Sequence, residues 1–144
     1  MAPSSSLSYA GDISAAEAWE KLAGDTRAQL VDVRTLAEWN FVGVPDLSSL
    51  GRQAQFIEWQ QFPSGMRNPG FVAEAAKVLA DKDAPVMLLC RSGGRSRAAA
   101  IALTEAGYSK AFNVAGGFEG DADEQGHRGN RDGWKAANLP WRQS

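Results

Sequence analysis

Two continuous apolar runs of strand length, each followed by a segment of helical spacing, limit the folds open to this chain more than any other feature. The run "AQLVDVR" covers residues 28–34 and precedes "TLAEWNFVG", whereas "APVMLLC" covers residues 84–90 and precedes an alanine-rich stretch that stops at Gly107. A run without polar alternation is typical of a strand covered on both faces. A third strand is predicted in "KAFNVAGG", residues 110–117. The alternation predicts an α/β fold with a mainly parallel sheet.

Two helix starts carry their own signal in the sequence. Ser14 is followed three residues later by Glu17. Thr35 stands in the same relation to Glu38, and this spacing is that of a capping box at a helix N-terminus. We therefore expect one helix to begin after Ser14 and another to begin after Thr35.

Length and charge bound the class of protein. At 144 residues the chain is predicted to form a single domain over residues 1–144. Hydrophobic residues make up 44% and charged residues 22%, which is ordinary for a soluble globular protein. The formal net charge of -2 provides no field that would attract nucleic acid or an anionic membrane, so neither is expected as a partner.

The start of the chain bears on location. The stretch "MAPSSSLSYAGDIS" has neither the basic nor the apolar region of a secretory signal, and it does not resemble a transit peptide. No apolar stretch approaches the roughly 20 residues that span a bilayer. One cysteine cannot form an internal disulfide, so nothing points to an oxidising compartment. A cytoplasmic location is expected.

The sole cysteine ends the second apolar run, in "LLCRSGGRSRAAA". Cys90 is thus expected at the carboxyl end of a strand, where sheets of this kind bind their ligands. Two glycines let the next residues curl and aim N–H groups at an anion, and a helix expected to begin at or beside Ser96 adds its positive end. With two arginines nearby, these features favour a nucleophilic thiolate open to solvent. The alternative is an inert buried cysteine that closes a strand. The residues around the sulfur are Arg91, Gly93, Gly94 and Arg95.

Four ordered motifs resemble those of one family. "CRSGGRS" resembles the active-site loop of the rhodanese-like sulfurtransferases, and "LVDVRTLAEW" is similar to their strand-to-helix segment. "NVAGGFEG" and "WKAANLPW" are similar to their last strand with its glycine turn and to their closing helix. The resemblance spans about residues 8–142. It implies a three-layer sandwich with a central, mainly parallel sheet of five strands flanked by helices.

The resemblance also implies a reaction. A Cys90 thiolate would take the outer sulfur of an anionic donor such as thiosulfate, become a persulfide, and pass the sulfur to a thiophilic acceptor, cyanide or a thiol. No cofactor and no metal are implied. Arg91 would orient the donor; for Arg95, substrate contact and bracing of the loop both stay open. The backbone N–H groups that would hold the sulfur belong to Arg91, Ser92, Gly93, Gly94, Arg95 and Ser96, and the residues expected to support the loop are Asp32, Arg34 and Glu38.

Two other functions compete with this one. Tyrosine phosphatases and related enzymes place five residues between a cysteine and an arginine, whereas four separate Cys90 from Arg95, which suits a single sulfur atom better than a tetrahedral oxyanion. A phosphatase or arsenate reductase is therefore disfavoured. The second competitor is a non-catalytic module of the same fold that carries sulfur or docks a partner.

The chain departs from the family pattern at two places. "FVGVPDL", residues 41–47, lacks the histidine that usually follows a glycine there. Residues 121–133, "DADEQGHRGNRDG", separate two motifs that ordinarily adjoin, and their composition predicts an exposed loop. This insert is either a flap that receives a protein acceptor, with His127 near the substrate, or a tolerated surface loop.

Overall fold

A five-stranded sheet forms the middle of the structure, a computed structural model that describes residues 8–61 and 63–143. Its strand order is β1-β6-β5-β2-β4, and every neighbouring pair is parallel. The strands of this sheet are β1 (Gly11–Ile13), β2 (Gln29–Asp32), β4 (Gln55–Phe56), β5 (Val86–Leu89) and β6 (Ala111–Val114), and an antiparallel pair is formed by β3 (Val44–Pro45) and β7 (Trp141–Arg142).

Helices cover both faces of the sheet. One face packs against α3 and α4, and the other packs against α1 and α5. The expected three-layer sandwich is thereby confirmed. The helices are α1 (Ala15–Gly24), α2 (Leu36–Phe41), α3 (Phe71–Val78), α4 (Gly94–Glu105) and α5 (Gly133–Ala136), with a 3-10 turn at Ser48–Leu50.

β5 is the middle strand of the sheet, and all four of its side chains are buried. Val86 and Leu88 belong to the core beneath α3 and α4, whereas Met87 and Leu89 belong to the core beneath α1 and α5. Successive side chains of a strand point to opposite faces, so an unbroken apolar run is what a strand between two helical layers requires. Cys90 follows directly and extends the first of these cores.

Both capping boxes form as the sequence predicts. The Ser14 side chain accepts from the backbone N–H of Glu17 at 3.1 Å, and the Glu17 carboxylate accepts from the backbone N–H of Ser14 at 2.9 Å. Thr35 and Glu38 make the same reciprocal pair at the start of α2. These contacts satisfy N–H groups that a helix leaves unpaired at its start.

The start of α4 differs slightly from the prediction, and three short strands were not predicted from the sequence. α4 begins at Gly94, two residues ahead of Ser96. β1, β3 and β7 have only two or three residues each, so they carry no periodic signal. Within residues 8–61 and 63–143, no helix has the length and apolar character that crossing a membrane requires.

Candidate active site

The backbone after β5 turns tightly around the sulfur of Cys90. The N–H of Gly93 donates a hydrogen bond to Sγ at 3.1 Å. Gly93 has a φ of +120°, and a Cβ there would collide with the carbonyl oxygen of Ala115. Because side chains rarely adopt this φ, only glycine fits the position without strain. The turn delivers the chain into α4, whose positive N-terminal end faces the loop.

The thiol itself is buried, with Cys90 only 1% exposed. The expectation that the sulfur is open to solvent is wrong in this structure, because the loop closes over it and Cys90 packs with Val33 and Ala99 in the core. Burial also fits an inert cysteine, so burial alone does not separate the two interpretations. Two polar groups contact Sγ, the backbone N–H of Gly93 and the hydroxyl of Ser96, and the nucleophilic role of Cys90 stays a prediction.

Ser96 lies behind the sulfur. Its Oγ is 3.2 Å from the Sγ of Cys90 and 2.5 Å from the Oδ1 of Asn113, and both Ser96 and Asn113 are completely buried. The side chain of Ser96 therefore contacts the sulfur of Cys90, and contact of Ser96 with substrate stays a prediction. Sequence reasoning missed Asn113. Its signal was an amide within the otherwise apolar strand "AFNV", since a buried amide needs partners.

Arg95 braces the loop against α2. Its Nη1 and Nη2 donate to the two carboxylate oxygens of Glu38 at 2.7 and 2.9 Å. The two side chains are each 20% exposed. The structure thus shows the bracing contact that the sequence left open, and both terminal nitrogens of Arg95 are engaged in it. Substrate contact by Arg95 stays a prediction.

The ion pair controls the titration of Glu38. Burial raises the pKa of this carboxyl, but the hydrogen bonds and positive charge of Arg95, together with the N–H and hydroxyl of Thr35, outweigh burial and lower the pKa from 4.5 to about 2. The hydrogen bond to Glu38 raises the pKa of Arg95 in turn. Coulombic interactions with Cys90 and Asp32 also raise the pKa of Arg95, so both groups lie within its electrostatic reach.

A pocket of about 550 Å³ opens beside the loop. Arg95 is paired with Glu38, so Arg91 and Glu119 are the unpaired cation and carboxylate among the residues that line this pocket. Phe41, which is 80% exposed, adds an apolar surface at its rim. Arg91 is exposed, Ser92 half-buried, and Gly94 exposed at the first position of α4. A larger cavity, of about 720 Å³, is lined by residues 45–48 and 51–56 together with Arg142, and no residue of the cysteine loop lines it.

Asp32 and Arg34 form a pair that is completely buried at the end of β2. Arg34 donates from its backbone N–H, Nε and Nη2 to the carboxylate of Asp32, and Nη2 also donates to the carbonyl of Gly43 at 2.8 Å. The guanidinium stacks on the ring of Phe118, 4.2 Å from its centre. Arg34 thus ties β2 to the segment that lacks the family histidine and to the turn before the insert. These contacts are those of structural support.

The insert folds on itself as an exposed loop. Asp123 accepts hydrogen bonds from the backbone N–H groups of Gln125 and His127 and from the side chain of Asn130. His127 is exposed, and the pocket wall reaches only Glu119, just before the insert. A role as a flap stays a prediction. Over residues 8–61 and 63–143, no group of three histidine, cysteine or acidic side chains is placed to hold a metal ion.

Comparison with known proteins defines the class. The family model for the STR4 middle domain matches residues 10–144, and the chain belongs to the rhodanese-like domain family. The crystal structure of Rv0390 from M. tuberculosis is 54% identical, covers 94% of this chain and 99% of its own, and superposes with a TM-score of 0.86.

Curated relatives share the family and differ in what their names state. An uncharacterized protein of Rickettsia rickettsii, the RP600 homolog, is 37% identical over 131 residues, which are 90% of this chain and 95% of that protein. The rhodanese-like domain-containing protein 4 of Arabidopsis thaliana chloroplasts is 29% identical over 89% of this chain, which corresponds to 25% of its length. The thiosulfate sulfurtransferase GlpE of Haemophilus influenzae is 39% identical over 62 residues, 43% of this chain and 47% of its own. The chain thus shares a family with sulfurtransferases.

Proposed function

We propose that this protein is a sulfurtransferase that carries a sulfane sulfur as a persulfide on Cys90. The observation that carries the proposal is the Gly93 N–H aimed at Sγ from a turn that only glycine adopts without strain. An inert cysteine would need no such turn. The kinship with GlpE, whose name states thiosulfate sulfurtransferase activity, supports the same reaction.

The first half-reaction loads Cys90 with sulfur. The thiolate attacks the outer sulfur of thiosulfate, a new S–S bond forms, and the old S–S bond breaks so that sulfite leaves with its electron pair. The exposed Arg91 attracts the anionic donor into the pocket. The persulfide then carries its charge on the terminal sulfur, where backbone N–H groups of residues 91–96 and the positive end of α4 stabilise it.

The second half-reaction returns Cys90 to its starting form. Cyanide or a thiolate attacks the terminal sulfur, the persulfide bond breaks, and its electron pair returns to Sγ. Donor and acceptor therefore react with the protein one after the other, and this order predicts ping-pong kinetics. Because only the outer sulfur of a donor has to meet Sγ, a narrow opening of the loop suffices despite the burial of Cys90.

A sulfur carrier without turnover is the second candidate. The 1% exposure of Cys90 favours it, since a sealed sulfur is poorly placed to meet a free acceptor. In that case a protein acceptor would be needed, and the insert 121–133 is its proposed docking segment. Small anionic donors and thiophilic acceptors remain the proposed partners in either case.

Mass spectrometry after incubation with thiosulfate tests the proposal. We expect Cys90 to gain the mass of one sulfur atom and cyanide to remove it as thiocyanate, with repeated turnover. The Cys90→Ser variant, the matched control, should keep the melting temperature and lose both events. Loading without turnover would favour the carrier, whereas an unmodified Cys90 under excess donor would overturn both.

A cytoplasmic location is likewise proposed. Its basis is the sole cysteine, which cannot form an internal disulfide; residues 1–7 lie outside the described part of the chain. Fractionation of cells that produce the protein, with detection in the soluble or membrane fraction, tests it.

A further inference from the structure

A line of polar groups runs from the sulfur of Cys90 to the surface. The Oγ of Ser96 lies 3.2 Å from Sγ and 2.5 Å from the Oδ1 of Asn113. The Nδ2 of Asn113 donates to the Oδ1 of Asp12 at 2.9 Å. Ser96 and Asn113 are completely buried, whereas Asp12 is exposed and lies opposite Asn113 in the register of β1 and β6.

The partners determine where the hydrogen of the Ser96 hydroxyl lies. A carboxylate only accepts, so Asp12 holds the NH₂ group of Asn113 and leaves its Oδ1 facing Ser96. Oδ1 has no hydrogen, so the single hydroxyl hydrogen of Ser96 lies between the two oxygens. Toward Sγ the same oxygen then presents a lone pair. This arrangement suits a Cys90 thiol, which can donate, and opposes a thiolate.

We propose that Asn113, held by Asp12, is a positioning residue that keeps the Ser96 hydroxyl turned away from Cys90 and thereby disfavours the free thiolate. A thiolate can recruit the hydroxyl only if Ser96 gives up Asn113. The backbone N–H of Gly93, which donates to Sγ in either state, opposes this effect.

The consequence for sulfur transfer rests on the proposed function. In the persulfide the inner sulfur has neither a proton nor the formal charge, so it tolerates the lone pair of Ser96. Release of the outer sulfur to cyanide breaks the S–S bond and returns the electron pair to Sγ, where Asn113 works against it. The network therefore favours the loaded protein over the free thiolate and slows discharge.

Other charges also act on the sulfur and have to be held constant. Arg95, at the start of α4, interacts electrostatically with Cys90. Asp32, at the end of β2, also interacts with Arg95. These two groups are unchanged in the variants below. Asp12→Ala removes a charge and the acceptor of the Tyr9 hydroxyl, so that variant is compared with and without Ser96 and against a Cys90→Ser background that carries the same change. The charged and titratable groups around the loop and the network are Tyr9, Asp12, Asp32, Arg34, Glu38, Arg91, Arg95, Arg97 and Glu119.

The test measures thiolate formation by its ultraviolet absorbance across pH, with Cys90→Ser subtracted as background. Since Cys90 is the sole cysteine, the difference reports one group. Asn113→Leu, of similar size, frees Ser96 and should lower the pH midpoint by about one unit, equivalent to about tenfold in ionisation. In a Ser96→Ala background the same change should leave the midpoint unmoved. The proposal is overturned if the midpoint of Asn113→Leu equals that of the wild type. It is also overturned if Asn113→Leu shifts the midpoint equally in the Ser96→Ala background.

A second variant decides if Asn113→Leu fails to fold. Asp12→Ala lies at the surface and releases the amide of Asn113, so it should shift the midpoint downward, and by less in the Ser96→Ala background. An equal shift in both backgrounds would mean a direct charge effect and would overturn the proposal. This readout needs no sulfur transfer, so its failure is distinguishable from failure of the proposed function. With transfer intact, discharge to cyanide should be faster in Asn113→Leu.

Discussion

The Arg95–Glu38 pair predicts a stability change with a defined pH dependence. In Glu38→Gln the carboxylate charge is lost, whereas an oxygen remains for the start of α2. The pKa of Glu38 lies at about 2 in the folded protein and at 4.5 when unperturbed. At about 1.4 kcal/mol per pH unit this interval corresponds to roughly 3 kcal/mol. Because the pair is partly solvated, screening reduces the expected loss at pH 7 to between about 1 and 2 kcal/mol.

The sign of the pH dependence follows from the lowered pKa of Glu38. A carboxyl whose pKa falls on folding contributes stability above its unfolded pKa and loses that contribution as pH drops toward the folded value. The wild type and Glu38→Gln should therefore differ fully above about pH 5 and converge between about pH 4.5 and pH 2.

Urea unfolding at a series of pH values, followed by circular dichroism, measures the difference. Glu58→Gln is the matched control, because Glu58 contacts the same helix start through the backbone N–H of Leu36. The control should change the free energy of unfolding by less than about 0.5 kcal/mol. A difference for Glu38→Gln that stays constant from neutral to acidic pH would refute the reasoning.

Two further changes address the loop and the insert. Gly93→Ala should lower the free energy of unfolding by more than about 2 kcal/mol and abolish persulfide loading, because its Cβ collides with Ala115; Gly65→Ala, at a positive φ with open space, should cost only about 1 kcal/mol. Equal losses in the two variants, measured by urea unfolding, would contradict this. Replacing residues 121–131 by two glycines should change the free energy of unfolding by less than about 1 kcal/mol, since the contacts of Asp123 lie inside the insert and the bonds of Arg128 and Gly129 reach only the carbonyls of the adjoining turn at Gly120 and Glu119. Urea unfolding checks this, and a loss above about 2 kcal/mol would mean that the insert supports the core.

The features that sequence reasoning identified depend on neighbours along the chain. Both capping boxes join residues three apart, and β5 is recognised from four consecutive apolar residues. The turn after Cys90 needs a glycine at position 93 whatever surrounds it, because its φ is positive. Such local requirements are written in adjacent residues, and for that reason the alternation of strands and helices and the position of the loop are predictable, whereas the five-stranded sandwich followed from the family resemblance.

What tertiary structure decided involves residues far apart in the chain. Arg95 meets Glu38 across 57 residues, Ser96 meets Asn113 across 17, and Asn113 meets Asp12 across 101. These contacts depend on the order β1-β6-β5-β2-β4, which no local pattern states. The exposure of Cys90 belongs to the same group, since the loop and the core seal the sulfur together. Local chemistry therefore determined which residues surround the sulfur, and strand order determined which of them touch it.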